Sequence, residues 1–131
     1  MSTPSPWQYF SVEELSCRCG CGLMNMDNVF MTKVVALRRE LGWPFIVSSA
    51  SRCSAHNQKV SNTGPNGPHT TGHAIDIVCS HEKALGLVSS ALQHGITGLG
   101  VSQKGDVVKR FIHLDDLLPP KHSPRPNIWS Y

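Results

Sequence analysis

A chain of 131 residues is long enough for one domain with one sizeable core, and its 40% hydrophobic and 16% charged content indicates neither disorder nor a membrane protein. No apolar run approaches the ~20 residues that a membrane helix needs. The net charge of +3, with no run of Lys or Arg longer than two, gives no ground for a nucleic-acid partner and is compatible with an anionic polymer.

Residues 1–7 lack the basic start and apolar stretch of a signal peptide, so the chain is expected to be cytoplasmic on synthesis. Ser11 and Glu14 have capping-box spacing and open a short helix. Gly20 and Gly22 then break the chain. Asp27 caps a longer helix that carries Phe30, Val34, Leu37 and Leu41 at helical spacing and stops at Gly42. Residues 45–49 read as a buried strand and 61–68 as a loop. Residues 74–78 read as a second strand. Ser80 caps a third helix, through Leu85, Val88, Ala91 and Leu92, that Gly95 ends. Two short strands are expected near 98–101 and 107–114. The proline-rich tail, 119–131, is expected to wrap the surface with Trp129 as its anchor. With no repeat or linker, the expected fold class is α+β: a small antiparallel sheet with helices packed on one side, in a single domain spanning 1–131.

The five cysteines are Cys17, Cys19, Cys21, Cys53 and Cys79, an odd number that excludes a fully paired framework. The Cys-x-Cys-x-Cys run lacks a fourth metal ligand close by in sequence. The thiols are therefore expected to be buried or idle, with a disulfide to Cys53 or Cys79 as one alternative and a thiol or metal-transfer site as another.

Three segments carry residues suited to metal-assisted chemistry. The segment 68–77 sets His69 at a loop end and Asp76 in an apolar strand, opposite in direction to Ile75 and Ile77. A carboxylate in such a strand needs a partner, either a cation or an Arg or Lys from elsewhere. On 111–115, His113 and Asp115 lie two apart and share one strand face, which offers a ligand and a nearby carboxylate; a surface pair is the plainer reading. A catalytic zinc takes three protein ligands and keeps one position for water, and a neighbouring carboxylate can take that water's proton. In the third segment, 48–57, Arg52 directly follows a buried strand. It is suited to a substrate carboxylate or an oxyanion, or else to a structural ion pair. His81-Glu82 begins like His-Glu-x-x-His, but position 85 is Leu. His73, His94 and His122 read as exposed histidines.

Together these segments resemble the zinc D-Ala-D-Ala carboxypeptidase family, and within it the short bacterial and phage branch, related to lysostaphin-type peptidases and the hedgehog domain. The resemblance rests on Ser48 to Asn57, on His69, Gly72, Ala74 and Asp76, and on His113 with Asp115. Supporting matches are the opening from Tyr9 through the cysteine run and the stretch from Arg125 to Trp129. It implies a hedgehog-like fold and a zinc ion on His69, Asp76 and His113. It implies Arg52 at the substrate, with His56 as a helper. The implied activity is hydrolysis of a peptide bond in peptidoglycan stem peptides or cross-links by a monomer, with a phage lysin as one setting and a zinc-stabilised wall-binding or virion module as the non-catalytic alternative.

Four positions depart from the family pattern. Gly67 stands for Ser, Leu117 for Arg, Ser102 for an aromatic, and Arg110 for the catalytic Glu that some relatives carry three residues before the last ligand. Asp115 is therefore the expected general base, with Asp116, on the opposite strand face, as the weaker choice.

Overall fold

The computed structural model describes residues 2–131. Helix α1 (Val12–Leu15) is opened by the expected capping box: Ser11 accepts from the Glu14 backbone, and Glu14 reaches back to Ser11. Helix α2 (Asn28–Leu41) starts at Asp27, whose carboxylate accepts from Phe30 N, and ends at Gly42 in the left-handed conformation. Strand β1 (Ile46–Ser49), helix α3 (Ser54–Val60) and a 3-10 turn over Pro68–Thr71 follow. Then come β2 (Ala74–Val78), α4 (His81–Ala91), β3 (Gly98–Ser102), β4 (Phe111–Asp115) and β5 (Asn127–Ser130).

The five strands form one mixed sheet in the order β1-β2-β4-β3-β5, which makes the fold α+β. The first three pairings are antiparallel. The last is not, because β5 runs parallel to β3. The expectation of a purely antiparallel sheet is corrected here: the tail does not merely wrap the surface but closes one edge of the sheet. Its proline-rich approach had masked a four-residue strand.

One face of the sheet carries Ile75 and Ile77 of β2 and Ile112 and Leu114 of β4. They join Phe30, Val34 and Leu37 of α2 and Ala84, Leu87 and Ala91 of α4 in a single buried cluster. Each Ile, Leu, Val or Phe among them stabilises the fold by about 1.5–3 kcal/mol when fully buried. Of the expected stripe on α4, Ala91 is buried and Val88 packs against the core, but the two leucines do not. Leu85 and Leu92 are 72% and 62% exposed, and Ala84 and Leu87 face the core instead. Among the described residues no helix is long and apolar enough to cross a membrane.

Candidate active site

Strand alternation puts the other face of the sheet to a different use. The register aligns Ser49, Asp76, His113, Gly100 and Trp129 in one row across all five strands. Asp76 and His113 are therefore direct cross-strand neighbours, and both are buried. His69 arrives from the turn at Pro68–Thr71, where Thr70 bonds both backbone groups of Gly67. A Cβ on Gly67 would run into the Thr63 side chain, a physical reason for the missing Ser there.

His69 Nε2 lies 3.1 Å from Asp76 Oδ1, and His113 Nδ1 lies 3.0 Å from the same oxygen. One ligand atom from each of the three residues lies within 4.8 Å of the others. The remaining ring nitrogens fix the tautomers. His69 Nδ1 faces the Ala50 carbonyl at 2.8 Å, and His113 Nε2 faces Asp115 Oδ2 at 2.8 Å. Both partners only accept, so those nitrogens carry the protons. With neutral rings, two imidazole lone pairs and a carboxylate then point at one another with no hydrogen between them. Three converging acceptors require a cation, and this donor set is that of a three-ligand zinc site. Without one, protons must fill the gap. Burial opposes a charged His113, but its hydrogen bonds to Asp115 and Asp76 outweigh this and raise its pKa. Asp76 is held well below the usual carboxylate range: burial works to raise it, and the two histidines overcome that.

Asp115 does not stand where a general base must. It is fully buried, and its oxygens accept from His113 Nε2 and, in a bidentate pair at 2.9 Å each, from Arg125. Burial pushes its pKa up, while these bonds hold it down at about 2. It orients the His113 ring from the side away from Asp76. The guanidinium absent at Leu117 thus comes from Arg125. Asp116 faces the other way, bound to Lys33 at 2.8 Å and His73 at 2.7 Å, so it is no base either and His73 is not a free surface histidine.

Two glycines make room on this face. A Cβ on Gly98 would strike the Asp115 carboxylate. At Gly100 it would come within 2.8 Å of both Trp129 Nε1 and the Tyr131 hydroxyl. The Trp129 ring lies tilted against the His113 ring, centroids 5.3 Å apart, in the space so left.

The three residues open into a cleft of about 1320 Å³, lined also by Arg52, Lys121, His122, Arg125, Trp129 and Tyr131. Arg52 is aimed by bonds to Asn57 Oδ1 at 3.0 Å and Ser49 Oγ at 2.9 Å. Among the described residues no carboxylate pairs with it, so the structural ion pair weighed from sequence is not found. His56, expected to help it, is not among the residues lining the cleft. His122, read from sequence as an exposed histidine, does line it. Burial, then Lys121 and Arg125, lower its pKa, which favours the neutral ring. Arg110, in the place of the catalytic Glu, is tied to the Gly105 carbonyl. A cleft with one carboxylate and several cations suits an anionic ligand.

A family model for Peptidase M15 matches residues 8–115. The chain belongs to the M15 peptidase family. No curated protein and no solved structure matches it. Family membership makes this chain a zinc metallopeptidase with a peptide substrate, and the buried His69, Asp76 and His113 group can hold the ion. The matched region of this M15 chain ends at Asp115. Arg125, Trp129 and Tyr131, which finish the site, come after it.

Proposed function

We propose that this M15 peptidase hydrolyses a peptide bond in peptidoglycan stem peptides or cross-links, as a D-Ala-D-Ala carboxypeptidase or an endopeptidase. The observation that carries the reading is the unpaired Arg52 guanidinium in the same cleft as the His69, Asp76 and His113 group. Stem peptides end in carboxylates, and a guanidinium held by two neutral partners keeps its charge for such a group.

Zinc on these three ligands supplies Lewis acidity and a water of lowered pKa. The chain's own residues supply the rest. Arg52 binds the substrate carboxylate or steadies the oxyanion. Asp115 and Arg125 keep the His113 ring in the ligating tautomer. With Asp115 fully committed, His122 is the neutral base left in the cleft to take a proton. The setting we propose is a phage lysin, held in the host until the membrane is breached.

The test is incubation of the zinc-loaded protein with purified peptidoglycan, reading new amino groups and the mass of each product. Release that chelation abolishes supports the proposal, and the product masses name the bond. The burial of Asp115 favours one other reading, a zinc-stabilised wall-binding module without turnover. Binding to sacculi with no amino-group release at full zinc loading would select that reading instead.

A further inference from the structure

We infer that Cys17, Cys19, Cys21 and Cys53 form a second metal site, a tetrathiolate that takes zinc as a structural ion. The Cys-x-Cys-x-Cys run has only three ligands along the chain. The fold brings the fourth, Cys53, from the segment between β1 and α3, more than thirty residues away. One sulfur from each of the four lies within 4.8 Å of the other three.

The spacing is that of a coordination shell and not of disulfides. Cys17 Sγ and Cys19 Sγ are 3.5 Å apart, and Cys19 Sγ and Cys53 Sγ are 3.7 Å apart. A zinc–sulfur bond of about 2.3 Å sets the corners of a regular tetrahedron about 3.8 Å apart. A disulfide needs about 2.05 Å. All five cysteines are free thiols.

The backbone around the cluster is arranged for sulfur anions. Cys53 N donates to Cys17 Sγ and His56 N to Cys53 Sγ, each at 3.4 Å. Gly20 and Gly22, both at positive φ, fold the run back on itself, and Cys17 N bonds Leu23 O at 2.8 Å to close the knuckle. Four converging sulfurs with no fifth ligand make a closed site, the pattern of a structural zinc rather than a catalytic one. Cys79 stands apart. Burial pushes its thiol up to about 11, and it bonds the Ile77 carbonyl.

The position gives the ion a purpose. Cys53 follows Arg52, and Ala50, three residues earlier, holds His69 Nδ1. Ser51 N bonds Leu15 O, and Asn25 N bonds Ser51 Oγ. A zinc here pins the N-terminal knuckle to the segment that aims Arg52 and orients His69.

The test uses the full chain, purified under reducing conditions and loaded with zinc. Wild type should hold two zinc ions per chain, and the His69→Ala, His113→Ala double variant should keep one. Titrating either protein with an organomercurial should release one zinc as four thiols react. Cobalt loaded into the double variant should show thiolate-to-metal charge-transfer absorption. A chelator should lower the melting temperature of that variant, which has no other metal to lose. One zinc in wild type and none in the double variant would overturn the inference. So would four thiols that react without releasing zinc, or a Cys19–Cys53 disulfide in the protein as purified.

Discussion

The two ligand clusters of this M15 peptidase differ in almost every physical respect. The His69, Asp76 and His113 group is buried, has two ligands on neighbouring strands and one on a short turn, and faces a cleft lined by cations. The cysteine cluster is half at the surface, sits on loops, and is closed by its own sulfurs. In the first, three side chains leave one coordination position open and neighbours outside the site set the tautomers. In the second, four ligands leave nothing open and the backbone amides supply the support. The difference teaches what each kind of site needs from a fold: rigid strands and outer hydrogen bonds where chemistry happens, short turns where an ion only joins two segments.

The largest effect that could break this comparison comes from the ligands themselves. His113→Ala should lower kcat/KM on peptidoglycan by about 10³-fold or more, since several kcal/mol of metal-derived stabilisation goes with it. Metal analysis should find the cysteine site still loaded. If the same variant loses all its zinc, the two sites are not independent.

Arg52→Ala sharpens the reading of the cleft. Loss of a charge-assisted contact worth about 1.5–3 kcal/mol should reduce kcat/KM by about 10–100-fold, with zinc content unchanged. Steady-state kinetics on a peptide with a free carboxylate, compared with its amide, would show whether the loss belongs to that group.

Asp115→Asn separates positioning from proton transfer. An outer-shell residue that orients a ligand should cost about 10–100-fold in zinc affinity. Competition with a chromophoric chelator would read this. A variant with full zinc affinity and collapsed kcat would restore Asp115 as the base. His122→Ala is the counterpart: kcat should fall while zinc affinity holds.

Two smaller effects follow. Gly100→Val should displace Trp129 and Tyr131 and destabilise the fold by about 1–3 kcal/mol, read by denaturant unfolding. The sign of the pH dependence is also set. A raised His113 pKa lets a proton compete with the metal for Nδ1 at a higher pH than an ordinary imidazole allows. Zinc affinity at this site should therefore weaken as pH falls through that range, by up to about tenfold per pH unit for each ring that must shed a proton.

Much of the fold was legible because its signals are local. Ser11 with Glu14, Asp27 and Gly42 mark helix ends by chemistry within one turn of chain. The strand around Asp76 was legible from alternation, and with it the opposed directions of Asp76 and its isoleucines. What was not legible depends on long-range geometry. Nothing local says that Arg125 reaches Asp115 across the tail, so a carboxylate near a ligand read as a base when it is a clamp. Nothing local says that Cys53 meets the run at Cys17–Cys21. The sequence raised Cys53 as one disulfide partner for the run, alongside Cys79, but not as the fourth sulfur of a single cluster. His122 was passed over because a histidine in a proline-rich tail looks exposed. Helix α3 was missed because 54–60 lacks an apolar stripe, and its buried residue is Asn57, which bonds Arg52, Thr63 and Gly64.

The most direct measurement is a zinc titration of the chelated wild-type protein, followed by amino-group release from peptidoglycan and by metal content together. Activity should be absent without metal and should rise in proportion to occupancy of the histidine site. It should stay at zero throughout for His113→Ala. Hydrolysis that persists in the fully stripped protein, or that survives in His113→Ala, would contradict the convergence of His69, Asp76 and His113 on one catalytic ion.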